Sequence, residues 1–156
     1  LIIASAYGFS EIVKLFLEIG TDPNQVRKSD GVSPLYFAAQ ENKPDTVKVL
    51  LDNPLTDVNL SVRIGRQTPL FIAAKEANLK IVRLLLTKGR NLEIDKANSN
   101  GITPYLAAQQ KLIHLDNSQV ELKKRYTEIL SLLEEKGADT HKRTSFILES
   151  MHRLGY

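Results

Sequence analysis

One short pattern recurs along this chain, and it constrains the fold more than any bulk property. Ser33-Pro34-Leu35-Tyr36-Phe37-Ala38-Ala39, Thr68-Pro69-Leu70-Phe71-Ile72-Ala73-Ala74 and Thr103-Pro104-Tyr105-Leu106-Ala107-Ala108 share one template, with Ala38, Ala73 and Ala108 spaced by 35. Counting 34 back from Ala38 reaches Ala4, so the opening residues are the same element without the Ser/Thr-Pro pair. A second block follows each time: Ile12–Leu17, Thr46–Leu51, Ile81–Leu86 and Ile129–Glu134. It begins 8 residues after the alanine in the first three copies and 21 after it in the fourth, an insertion of 13. A fixed period of this size marks a stack of supersecondary units, each burying its apolar face against its neighbours.

Each part of the unit has a physical reading. Pro at a first helical position lacks only an amide that would be orphaned there, and Ser or Thr before it caps the helix. Ala38, Ala73 and Ala108 are small enough to let another helix approach. The second block is apolar at i, i+1, i+3 and i+4, the pattern of a helix buried over most of its circumference. Gly20, Gly89 and Gly137 follow it, where a left-handed C-cap is expected. Asp22-Pro23-Asn24, Asp57-Val58-Asn59 and Asn91-Leu92-Glu93 then lead toward turns at Gly31 and Gly101. Each unit therefore reads as helix, tight turn, longer helix and extended hairpin.

Composition narrows the function classes. The 156 residues are 42% apolar and 25% charged, enough for a packed core and unlike a disordered tail. With no cysteine, a disulfide framework, a zinc ribbon, an iron–sulfur site and a thiol nucleophile are excluded. His114, His141 and His152 fall in different elements and read as surface or boundary residues. A net charge of +3 permits an acidic partner without calling for nucleic acid. No segment approaches the roughly 20 apolar residues of a membrane span. Leu1–Ala6 superficially suggests a signal peptide but has no basic residue before it and belongs to the repeat. Lacking an initiator Met and opening in mid-pattern, the chain is expected to be a fragment of a longer protein.

The four concordant copies resemble the ankyrin repeat, whose period is about 33 and whose signature is Thr-Pro-Leu-His-x-Ala. The resemblance covers residues 1–139 and implies an all-α repeat fold: an ankyrin-type solenoid of stacked helix-turn-helix units joined by β-hairpin fingers. A single domain, 1–156, is expected. It divides into unit one at 1–30, unit two at 31–65, unit three at 66–100 and unit four at 101–142. Residues 143–156 carry a stripe of Phe146, Ile147, Ser150, Met151 and Leu154, read as a C-terminal capping helix or as a truncated fifth unit.

Three features depart from the family pattern. Its histidine is replaced by Ile2, Tyr36, Phe71 and Leu106, so the row either packs in place of a polar clamp or lends Tyr36 and Phe71 to a recognition surface. The turn glycine of unit two is shifted to Gly65, with Arg66 in its place, presenting Arg63 and Arg66 differently from their neighbours. The insertion is expected to lengthen the first helix through Lys111–Leu115 and to start a long second helix at a Ser118-x-x-Glu121 capping box, running to about Lys136. It is either padding along one edge or a contact device. Lys123-Lys124-Arg125 reads first as a solvated helix face, with phosphate or acidic-peptide binding as the alternative.

Catalytic signatures are absent: there is no phosphate-cradling glycine loop, His-Glu-x-x-His pair, nucleophile elbow or kinase set. Adjacent Glu134 and Glu135 point about 100° apart on a helix and cannot flank one bond. The chain is read as non-enzymatic, with no cofactor and no metal. The resemblance implies a protein–protein interaction module, monomeric and intracellular, or delivered into a host cell if the source is microbial. Its alternatives are the targeting arm of a multidomain enzyme and a structural spacer. Carried over by position, the concave contact residues are Arg27, Lys28, Ser29 and Asp30; Arg63, Ile64 and Arg66; and Asp95, Lys96 and Asn100 in the fingers. On the first helices they are Tyr36, Gln40, Glu41, Phe71, Lys75, Glu76, Gln109 and Gln110. Arg27, Lys28, Arg63 and Arg66 against Asp30 suggest a partner with an acidic segment. Asn59, with Leu51 upstream, also resembles the target of the asparaginyl hydroxylase that modifies ankyrin repeats, though the same residue can bridge hairpin backbones.

Overall fold

The computed structural model describes residues 1–140; the Phe146–Leu154 stripe, His141 and His152 lie outside the described residues. Among the described residues eight helices follow in order: α1 (Ile2–Tyr7), α2 (Ser10–Glu18), α3 (Pro34–Gln40), α4 (Pro44–Asp52), α5 (Pro69–Lys75), α6 (Leu79–Lys88), α7 (Pro104–Ile113) and α8 (Val120–Glu135). The odd-numbered helices pack in sequence as one layer, α1 on α3 on α5 on α7. The even-numbered ones form the second, α2 on α4 on α6 on α8. Among the described residues no strand forms. The fingers are turns, closed by backbone bonds such as Arg27 N–H to Val32 O (2.9 Å) and Val62 N–H to Gln67 O (3.0 Å).

The capping signals behave as their chemistry dictates. The Ser33, Thr68 and Thr103 hydroxyls accept from the amides of Tyr36, Phe71 and Leu106, and proline opens α3, α5 and α7. Ala38, Ala73 and Ala108 are completely buried in the core of the helix stack. Leu35, Leu50, Leu70, Ile81, Leu85, Ile129 and Leu133 are buried almost without residue, each worth about 1.5–3 kcal/mol of transfer free energy.

The tight turn between helices rests on a left-handed residue: Gly8 (φ 81°), Asn42 (φ 52°) and Ala77 (φ 55°) occupy corresponding places. In unit four α7 runs straight through that place, reaching Ile113, and the turn is replaced by a loop. His114 and Leu115 fall beyond the helix, so the extension stops short of Leu115. Ser118 does not cap α8. Its hydroxyl and amide both turn back to Asp116 Oδ1 (2.5 and 2.8 Å), and Gln119 precedes the helix with no side-chain cap. An Asx turn satisfies the serine locally and outcompetes the capping box.

Unit three corrects the expected hairpin register. Gly20 and Gly137 adopt positive φ (85° and 88°), but Gly89 does not; Asn91 (φ 53°) takes that role. A Cβ on Gly89 would lie 2.4 Å from Leu85 O, so glycine is required there by close approach to backbone. The residues equivalent to Asp57-Val58-Asn59 are accordingly Glu93-Ile94-Asp95, not Asn91-Leu92-Glu93, as the bonds described below establish.

Candidate functional site: the face of first helices and fingers

The fingers are stitched into one surface by side chains that reach the next unit. Asn24 donates to Leu55 O (2.7 Å) and accepts from Asp57 N–H (2.7 Å). Asn59 repeats this one unit on, donating to Asn91 O (2.8 Å) and accepting from Glu93 N–H (2.9 Å). Asp95 accepts from Asp139 N–H at 3.1 Å. Both polar atoms of the Asn59 amide are therefore engaged in bridging units. Nearer the tips, Arg63 N–H donates to Asp30 O (2.8 Å) and Ser99 N–H to Gly65 O (2.9 Å), so adjacent fingers hold one another's backbone.

The inner ends of the first helices are tied in the same unit-to-unit manner. Asn78 Nδ2 donates to Ala39 O (2.8 Å), and the Tyr126 hydroxyl donates to Lys75 O (2.6 Å). Asn78 stands three residues before the Ile81 block and Tyr126 three before the Ile129 block, so the two are positional equivalents. The aliphatic stem of Lys43, three before Thr46, lies over Gly8. This position was not singled out in the sequence, though its fixed offset from the second block was available as a signal. Because Tyr126 sits in the lengthened α8, that helix preserves the bond across the insertion. Burial, with a contribution from the charge of Glu76, raises the Tyr126 phenol above its ordinary value.

Tyr36 and Phe71 are corrected from surface anchors to interior residues: both are buried, as is Leu106. The apolar row packs between units in place of the family's histidine. The Tyr36 hydroxyl donates to Gln67 Oε1 (3.1 Å), and burial pushes its pKa up to about 12. Only one flank of Phe71 shows, as the floor of a groove of about 480 Å³ that Lys75, Gln110 and His114 also line. A larger groove of about 910 Å³ lies at the other end of the same face, bounded by Ile3, Tyr7, Arg27, Phe37, Glu41 and Lys43.

The charge distribution also differs from simple counting. Arg27 forms a bidentate pair with Asp30, its Nε 2.9 Å from Oδ1, and its guanidinium lies 5.0 Å from the centre of the Phe37 ring. Hydrogen bonding to Arg27 holds the Asp30 carboxyl down at about 2. Arg27 is thus largely neutralised, and the basic tip reduces to Lys28, Arg63 and Arg66. Arg63 Nη1 donates to Lys28 O (2.6 Å), locking the second finger to the first. Gly65 and Arg66 both take positive φ (79° and 51°), the reversed backbone that turns Arg66 outward, while Ile64 is 82% exposed at the tip.

Of the remaining positions, Lys28, Ser29, Gln40, Glu41, Glu76, Asn100 and Gln110 are exposed, and Gln109 is half-buried. Lys75 pairs with Glu76 at 3.7 Å and Lys96 with Glu93 at 3.1 Å. Lys123 reaches Asn117 Oδ1 (3.0 Å), Arg125 lies 3.7 Å from Glu121, and Lys124 is exposed. No group of three or more His, Asp or Glu among the described residues could hold a metal ion. No helix among them is long and apolar enough to cross a membrane.

Comparison with known proteins agrees with this architecture. The family model for ankyrin repeats, three copies, matches residues 1–98. Protein phosphatase 1 regulatory subunit 12A of Rattus norvegicus is 28% identical over 136 residues, covering 87% of this chain and 12% of that protein. Putative ankyrin repeat protein FPV031 of Fowlpox virus is 31% identical over 105 residues, 67% of this chain and 30% of that protein. Ankyrin repeat and KH domain-containing protein 1 of Homo sapiens is 35% identical over 105 residues, 67% of this chain and 4% of that protein. The chain thus spans less than a third of the length of each of these relatives. With the period, the two helical layers and the family model in agreement, the chain belongs to the ankyrin-repeat family.

Proposed function

We propose that the chain is a protein-recognition module whose contact surface is the face of first helices and fingers, with the four units acting as one array. Ankyrin repeats are generally protein–protein interaction modules, and the family is typically non-catalytic. The observation that carries the placement is the stitched row of fingers beside two grooves, with exposed side chains at the tips. A surface held by backbone bonds from unit to unit loses little conformational freedom on binding, which favours affinity.

The partner's segment at the first two fingers is proposed to be acidic. Lys28, Arg63 and Arg66 supply the field there, and Ile64 offers an apolar contact between them. Gln40 and Glu41 line the adjoining helix end, followed by Glu76, Gln109 and Gln110 farther along. Asp95 is not among the contact residues, since its carboxylate already bridges units. For Asn59, we take the bridging role in preference to hydroxylation, because both polar atoms of its amide are occupied.

The test is capture with crosslinking mass spectrometry, using three forms of the chain in parallel. Arg63 is left intact because its side chain braces the finger. Lys28→Glu/Arg66→Glu is expected to lose the partner, or to slow its association at least tenfold with a flattened salt dependence. Lys48→Glu/Lys80→Glu makes the same change in net charge on the second helices and is expected to retain it. Equal loss in both variants would reduce the effect to net charge, and retention in the first would move the contact elsewhere.

A further inference from the structure

Units two, three and four each bury the same side of their second helix, and unit one does not. Thr46 and Leu50, Ile81 and Leu85, and Ile129 and Leu133 are all 0% exposed, whereas the equivalent Ile12 and Phe16 are 45% and 36% exposed. Helices α2 and α4 both have a following unit packed on them; only α4 has a preceding one. The exposed side of α2 is therefore the one that a preceding unit covers at each internal junction.

A second, polar signature points the same way. At each internal junction the amide of Asp57, Glu93 or Asp139 donates to an Asn or Asp of the preceding finger. The corresponding carbonyls, Leu55 O and Asn91 O, accept from Asn24 and Asn59. In unit one these groups are Asp22 N–H and Gly20 O, and neither has such a partner among the described residues. The unpartnered apolar side chains and the unpartnered finger backbone thus match the two halves of one interface.

We propose that α1, α2 and the first finger are the receiving face for a further ankyrin-type helix pair, lying upstream in the same polypeptide. That pair packs apolar side chains on Ile12 and Phe16, and its finger offers an Asn or Asp to Asp22 N–H and Gly20 O. Continuity with the three internal junctions selects this occupant: the face has the register, side-chain type and backbone groups of an array junction.

The test lengthens the chain upstream of Leu1 by a copy of residues 33–69, which places that copy in register. The lengthened protein is expected to unfold in one transition with Tm raised by several degrees. Phe16→Lys is expected to leave the Tm of the original chain within about a degree, since Phe16 is partly exposed there, and to abolish most of the gain in the lengthened one. Separate unfolding of the added unit would overturn the proposal. So would self-association of the original chain, read by sedimentation and dispersed by Phe16→Lys, which would make a second copy the occupant. In the polypeptide isolated from its source, Lys14 is expected to crosslink to a peptide encoded before Leu1. Crosslinks from Lys14 only to a separate protein would also overturn it.

Discussion

At the scale of single residues, the array tolerates a few local costs where one side chain differs from its repeat partners. Thr46 holds a place taken by Ile12, Ile81 and Ile129, and its hydroxyl is buried with no hydrogen-bond partner. Desolvating a hydroxyl without a bond is unfavourable by about 1–3 kcal/mol. Thr46→Val keeps the shape and removes that cost, so it is expected to stabilise the fold by about 1 kcal/mol, as chemical denaturation would report. A destabilised variant would mean that the hydroxyl has a partner in solution. Ser5, buried where units two and three have Ala39 and Ala74, shows the same mismatch. Both anomalies are visible in the sequence as departures from a column of equivalents, but their cost depends on burial, which only packing reveals.

At the scale of elements, the two exits from second helices look alike in sequence and work differently. Gly20 meets nothing within 4 Å and is needed for its left-handed backbone, while Gly89 has ordinary φ and faces the Leu85 carbonyl. Alanine at either site is expected to destabilise by about 1–3 kcal/mol. Asparagine separates the mechanisms: it tolerates the left-handed region and is expected to recover much of the loss at Gly20. At Gly89 it still carries the offending Cβ and is expected to recover none. Comparable recovery at both sites in thermal unfolding would return Gly89 to an ordinary C-cap. The serine at 118 carries a related lesson, because a capping-box spacing competes with an Asx turn two residues earlier, and proximity favoured the turn. The finger sequence around Asn91 misled for the same kind of reason: unit three places its left-handed residue at Asn91, two positions past Gly89.

At the scale of the whole molecule, stability is a chain of junctions between neighbours. Helix α5 lies between α3 and α7, and Ala74 at its inner end is fully buried. Ala74→Leu cannot be absorbed by side-chain motion and is expected to cost about 1–3 kcal/mol by overpacking. Because it wedges one junction, it is also expected to uncouple the two halves. Hydrogen exchange should then show α1–α4 opening separately from α6–α8. Uniform protection loss would mean that the array unfolds as a single unit despite the local damage.

The period, the proline-led helices, their hydroxyl caps and the small alanines were legible because each is dictated by short-range chemistry repeated in register. The order of stacking followed from the same periodicity, since a unit with two apolar sides must be covered on both. What tertiary structure alone decided was how side chains are spent between units. Tyr36 and Phe71 could equally have faced outward until the neighbouring helices enclosed them. Arg27 counted as a binding charge until Asp30 and Phe37 were found around it. Asn78 and Tyr126, 48 residues apart, became equivalents only when each was seen donating to the helix end of the preceding unit. The Tyr36, Asn78 and Tyr126 bonds reach across 31, 39 and 51 residues of sequence, and the Phe37 ring meets Arg27 from the next helix, so the energy of these side chains is set by new neighbours and not by their own segments.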